Sequence, residues 1–114
     1  MKCEVITTLD FVRDLHRLSK RYRSIKDDVA RLGEEIRTNP TMGIDLGEGI
    51  RKVRMAITLK GKGKSAGARV ITYNIITHTE EGRVVLVTIY DKSEQSNISK
   101  REIVSRLRRA GIID

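Results

Sequence analysis

The sequence predicts an α+β domain: an N-terminal strand and a helical hairpin packed on a curved, mainly antiparallel sheet, with a C-terminal helix. Three observations carry that prediction. Apolar side chains fall at helical spacing over residues 11–36, alternate or run continuously over residues 53–90, and return to helical spacing over residues 99–110. The order is strand, helix, helix, three meandering strands, helix. Such an order predicts helices on one face of the sheet and leaves the other face free for function.

Residues 2–7 alternate, with Cys3, Val5 and Thr7 on one side, and read as a short strand. Thr7, with Asp10 three residues on, predicts a capped helix start. Phe11, Leu15, Leu18 and Tyr22 then follow at i, i+4, i+7 and i+11, a spacing that lays them along one side of a helix. Ser24 and Asp27 repeat the cap signal, and Ile25, Val29, Leu32 and Ile36 repeat the apolar side, so the two helices form an antiparallel hairpin. Pro40, the only proline, closes the second helix because it lacks an amide hydrogen and restricts Asn39 before it.

Glycines at 43, 47 and 49 mark a loop. Beyond it Val53, Met55, Ile57 and Leu59 alternate with Arg54, Ala56, Thr58 and Lys60 as a half-buried strand. Residues 68–76 form a second strand and Glu81-Gly82 a turn. The run RVVLVTIY at 83–90 is apolar enough on both sides to be an interior strand. Ser99 with Glu102 opens the last helix, which turns Ile103, Leu107 and Ala110 inward and keeps Arg101, Arg108 and Arg109 mostly outside.

At 114 residues the chain is one domain, 1–114, with room for one hydrophobic core. Cys3 is the only cysteine, which excludes an internal disulfide and a cysteine-based zinc site and fits a reducing cytoplasm. No apolar run approaches a membrane span, and the N-terminus does not look like a secretion signal, so a cytoplasmic protein without a membrane partner is expected. A sequence pI near 10 implies acidic partners, of which nucleic acid is the usual one.

The charge is uneven. Residues 1–49 hold nine basic and nine acidic side chains, so the whole net charge of +8 comes from residues 50–114, with 14 basic and 6 acidic. Residues 49–79 hold no acid at all, yet carry Arg51, Lys52, Arg54, Lys60, Lys62, Lys64 and Arg69, a stretch suited to phosphates. Gly63-Lys64-Ser65 invites a nucleotide-binding reading, but Thr58 stands where a phosphate loop needs its first glycine. If KGKGK stays extended, Lys60, Lys62 and Lys64 point the same way while Gly61 and Gly63 let a polyanion approach closely. Arg69 can grip a phosphate through two hydrogen bonds. His16 and His78 have no spacing that suggests a metal or an acid–base pair, and both read as solvated. Tyr90 ends the interior strand just before Asp91-Lys92-Ser93-Glu94, where strand ends deliver side chains to a site or close the core.

The runs GIRKVRMAITLKGKGKSAGARVITYNI (49–75) and VLVTIYDKSE (85–94) resemble the RelE/ParE superfamily of bacterial toxins, in particular its RelE/HigB branch. The resemblance implies a RelE-like toxin fold. It also implies an endoribonuclease that needs no metal or cofactor, cuts messenger RNA in the ribosomal A site, and is held inactive by a cognate antitoxin. By position in the motif, the phosphate-contacting lysines and arginine of such enzymes fall on Lys60, Lys62 and Arg69. Where RelE has an arginine after the lysine of its last strand, and later a tyrosine, this sequence has Ser93 after Lys92, and Ser99. The proton acceptor then falls among Tyr90, Lys92 and Glu94.

Cutting RNA through its own 2′-hydroxyl requires a proton acceptor, a donor to the leaving 5′-oxygen, and positive charge on the phosphorane. The sequence therefore assigns Arg69 and Lys62 to the phosphate, Lys60 or Lys92 to the proton shuttle, and Tyr90 to base or stacking. Arg51, Lys52, Arg54 and Lys64 are expected to bind RNA. An acidic antitoxin segment is expected to cover residues 60–69 or displace the helix at 99–110. One alternative is a ParE-like toxin that inhibits DNA gyrase by binding, and another is a plain RNA- or ribosome-binding module. Charge focused at one spot favours the enzyme.

Overall fold

The apolar runs in the middle of the chain pair into one five-stranded sheet, seen in a computed structural model that describes residues 3–76 and 82–114. β1 (Cys3–Thr7) leads into α1 (Leu9–Ser19) and α2 (Ile25–Thr38). β2 (Ile44–Gly47) and β3 (Ile50–Met55) follow, then a 3₁₀ turn (Thr58–Lys60), β4 (Ala68–Ile76), β5 (Gly82–Asp91) and α3 (Lys100–Arg109). The spatial order is β1-β5-β4-β3-β2, with β1 parallel to β5 and the other pairs antiparallel. Among the described residues no helix is long and apolar enough to cross a membrane. Glu81 of the expected turn and His78 lie outside the described residues, and Gly82 opens β5.

Helices cover both faces of the sheet, where the sequence predicted one. Phe11, Leu18, Ile25, Leu32 and Ile36 of the hairpin pack on Val53, Met55, Val70, Val84, Leu86 and Ile89. On the opposite face Ile103 and Leu107 of α3, with Ile98, pack on Ile71, Val85, Val87 and Tyr90. The reason lies in β5: a strand apolar on both sides must be covered on both sides.

A β-bulge decides which side chain of β5 faces which helix layer. Ile71 pairs with Thr88 but Thr72 pairs with Leu86, which leaves Val87 as an extra residue. Val84 and Leu86 face the hairpin before the bulge, and Ile89 does so after it. Asp91 therefore points toward the hairpin and Tyr90 toward α3.

Local departures from the expected elements have physical causes. Residues 44–47 form a strand rather than loop, folding back on β3 through Gly47, Glu48 and Gly49, all at positive φ. β3 ends at Met55 instead of continuing to Lys60, because Thr58 is captured by α2. The cap of α1 is Thr8 rather than Thr7; its hydroxyl accepts from Phe11 N (3.0 Å) and donates to Val87 O (2.9 Å). Ser24 precedes α2 but makes no cap bond, its hydroxyl being used elsewhere. Ser99 caps α3 as expected, while Ala110, expected inside, is the exposed residue at its C-terminal end.

Candidate active site

The site is built around Asp91, the last residue of β5, whose carboxylate is fully buried. Lys60 Nζ donates to Oδ1 (2.7 Å), Tyr22 Oη donates to Oδ2 (2.6 Å), and the Ser93 amide donates to Oδ1 (3.0 Å). Burial raises the Asp91 pKa, but the bonds from Lys60, Tyr22 and Ser93 overcome it and hold the pKa at about 2. For Lys60, burial disfavours the charge, but the bond and the charge of Asp91 prevail and lift the pKa above its ordinary value. Lys60 is thus a fixed cation, with its Nζ 3.0 Å from Ala66 O and 5.3 Å from the centre of the Tyr22 ring.

Two further anchors shape the loop that carries Lys60. Asp28 of α2, also buried, accepts from Thr58 N (3.0 Å), from Thr58 Oγ1 (2.5 Å) and from Ser24 Oγ (3.1 Å), while Ser24 Oγ accepts from Leu59 N (3.0 Å). Those bonds outweigh the burial of Asp28 and lower its pKa. At the far end the Arg69 guanidinium, only 6% exposed, donates to the carbonyls of Ser65 (2.9 Å), Lys64 (3.2 Å) and Ala68 (3.2 Å). Gly67 crosses β3 so closely that a Cβ there would stand 2.1 Å from Met55 O.

The KGKGK segment is therefore not extended, which corrects the expectation that its lysines point the same way. Gly61 and Gly63 take left-handed φ values of 66° and 77° and turn the chain between them. Lys60 reaches inward to Asp91, Lys62 lines a surface recess, and Lys64 borders a separate crevice. The recess has a volume of about 580 Å³. Lys60, Lys62 and Lys92 line it, with Arg21 and Tyr22 from the hairpin and Ser65, Ala66 and Ser93 from the two loops.

The remaining expected site residues lie elsewhere. Arg54 and Lys64 border a crevice of about 110 Å³ that also contains Asp28, Arg31 and Glu35. Arg51 pairs with Asp45 (3.7 Å), and Lys52 Nζ donates to Asn97 Oδ1 (2.7 Å). Tyr90 stands opposite Arg69 across β4 and β5 but packs under α3, outside the recess. Its hydroxyl is buried with no partner among the described residues, and desolvation raises its pKa against the nearby charge of Arg69. Glu94 is clamped by Arg17 and Arg21.

Asp91, Tyr22, Arg21 and Asp28 were not legible as site residues. The one available signal is an acid ending the most apolar strand of the chain, where burial requires a cationic partner. Among the described residues no group of three His, Cys, Asp or Glu is placed to hold a metal ion. The arrangement presents one buried-paired cation, Lys60, and the exposed Lys62 and Lys92 around one recess, with the nearby carboxylates of Asp91 and Glu94 already engaged, which is chemistry for an anionic ligand. A family model described as the RelE toxin of the RelE / RelB toxin-antitoxin system matches residues 11–113 of the chain.

Proposed function

The chain belongs to the RelE toxin family of toxin–antitoxin systems, and from that premise we propose that it is a metal-independent endoribonuclease that cuts messenger RNA on the ribosome. A cognate antitoxin neutralises it, and the cytoplasm is where it acts. The observation that carries this reading is the convergence of Lys60, Lys62 and Lys92 on one recess. A gyrase-inhibiting toxin has no need of cations gathered there, and the family match is to RelE.

The reaction divides among these groups. The 2′-hydroxyl attacks the adjacent phosphorus, the P–O5′ bond breaks, and the products are a 2′,3′-cyclic phosphate and a 5′-hydroxyl. Lys60, kept protonated by Asp91, supplies constant positive charge to the phosphorane. Lys92, at the rim of the recess, is the group placed to shuttle the 2′-hydroxyl proton, and Lys62 contacts the phosphate and donates to the leaving O5′. Arg69 holds the wall of the recess through Ser65 and adds its charge from behind. The ribosome positions the message, which lets a modest base suffice.

The test is a purified, programmed-ribosome assay. Lys62→Ala should fold normally and lose roughly a hundredfold in cleavage, as for one transition-state donor. Lys60→Ala should lose both cleavage and stability, because it leaves the buried Asp91 carboxylate unpaired. The new ends should be 5′-hydroxyl, and a 2′-deoxy substitution at the cut site should abolish cutting. Recovery of 5′-phosphate ends, or unimpaired cutting of the deoxy substrate, overturns the mechanism. Arrest of DNA synthesis before translation, with inhibition of gyrase supercoiling, would replace it with the gyrase reading.

A further inference from the structure

Tyr22 joins the helical hairpin to the charged pair at the recess, and its core packing does not account for that. It lies in the connection between α1 and α2, where its amide donates to Leu18 O (2.8 Å) and its carbonyl accepts from Ile25 N (3.1 Å), so its backbone is fixed. The side chain is buried and packs in the core with Phe11, Leu18 and Ile25. A phenylalanine would serve that packing as well. What sets the residue apart is the hydroxyl, which needs a partner when buried and donates to Asp91 Oδ2 (2.6 Å), 69 residues along the chain.

Lys60 and Asp91 taken alone make a poor device for stabilising a phosphorane. An ammonium has three protons, and that of Lys60 stands within reach of Asp91 Oδ1 (2.7 Å), Ala66 O (3.0 Å) and Ser93 Oγ (3.5 Å). Lys60 therefore acts on a phosphate through its charge rather than through a bond. A carboxylate at 2.7 Å works against that charge unless other donors offset the carboxylate. The Ser93 amide shares Oδ1 with Lys60 (3.0 Å), and the Tyr22 phenol takes Oδ2. The Tyr22 ring also has Lys60 Nζ 5.3 Å from its centre, within the range where an aromatic ring attracts a cation. One side chain thus holds both members of the pair, and both Tyr22 and Lys60 line the recess.

We propose that Tyr22 is a positioning residue for the cleavage reaction: its hydroxyl occupies Asp91 Oδ2 and its ring holds the ammonium, so that Lys60 stays on Oδ1 with its charge directed at the recess. That role rests on the RNA-cleaving reading above; the contacts to Asp91 and Lys60 do not. Without the hydroxyl, Oδ2 is a buried acceptor that has lost its donor, and the Lys60 ammonium is pulled onto it and away from the phosphate.

Tyr22→Phe keeps the ring and removes the hydroxyl. On programmed ribosomes its kcat should fall roughly tenfold to a hundredfold with KM unchanged, the cost of removing a partner that orients a metal-site ligand, which is the part Tyr22 plays toward Asp91 and its cation. In the Asp91→Asn background the same change should cost nothing further in kcat, because the two residues act as one unit. That pair of variants leaves no buried carboxylate without a donor, so the comparison stands even where Tyr22→Phe alone does not fold. Read by NMR without substrate, the Asp91 carboxyl carbon should titrate at a higher pH in Tyr22→Phe than the wild-type value of about 2, since the charged form has lost a donor.

A Tyr22 that only supports the core would lower the melting temperature on substitution and leave kcat as it is, and that result overturns the proposal. So does an Asp91 titration that stays in place, or a kcat loss that persists in full beside Asp91→Asn. The titration needs no cleavage. A wild-type protein that cuts no RNA, with Asp91 titrating higher in the variant, sinks the nuclease reading and leaves Lys60 held by Tyr22. One that cuts, with kcat unaltered in the variant, sinks the role of Tyr22 alone.

Discussion

Asp91 is a buried carboxylate that stays ionised because three donors converge on it, and its protonation is linked to stability. Its folded pKa of about 2 lies below the ordinary value of 3.8, so its contribution is fully present above about pH 4 and is lost as the pH falls through the folded value. The shift corresponds to about 2 kcal/mol. Asp91→Asn should therefore be less stable than wild type at pH 6, and the gap should close by about 2 kcal/mol toward pH 2, read by urea denaturation at each pH. A gap that does not change with pH would mean that Asp91 gains nothing from its charge. At this scale the sequence identifies Lys60 and Lys62 as loop cations, but not that Lys60 is committed to Asp91 while Lys62 is exposed. The side chains of Lys60 and Asp91 are 31 residues apart in the chain, and nothing local to either announces the other.

α2 contributes to the core through Ile25, Leu32 and Ile36, and to the site through its first turn, which holds the Thr58–Lys60 turn by way of Asp28. Thr58→Val keeps the shape and the backbone bond to Asp28 but removes the hydroxyl donor. It should cost roughly 1.5–3 kcal/mol, the value of a hydrogen bond to a buried charge. Amide hydrogen exchange at residues 59–61 should speed up, and ribosomal cleavage should lose turnover while RNA affinity is kept. Unaltered exchange there would show that Asp28 does not hold the turn. The sequence presents Ser24 and Asp27 as a helix cap, whereas the structure applies Ser24 and Asp28 to a segment 30 or more residues away. Capping signals describe the helix that follows them, so they carry no information about a turn that arrives from elsewhere in the chain.

At the level of the whole molecule, α3 is the cover of a second core, and Ile103 and Leu107 are wholly buried against β4 and β5. Removing residues 99–114 should expose Val85, Val87 and Tyr90 and give a chain that binds a hydrophobic dye and elutes as aggregates in gel filtration. A monomeric, cooperatively melting truncation would contradict a structural role for α3. The sequence alone determined the three helices, four of the strands, the basic character and the resemblance to RelE, which the family match supports. Those features depend on periodicity within about 10–20 residues, on composition, or on a contiguous motif. Only the tertiary structure decided that helices cover both faces, that a bulge turns Asp91 to the hairpin and Tyr90 to α3, and which charges remain free. A charge is neutralised by its neighbours in space, and those of Arg17 and Asp10 lie 77 and 99 residues away along the chain.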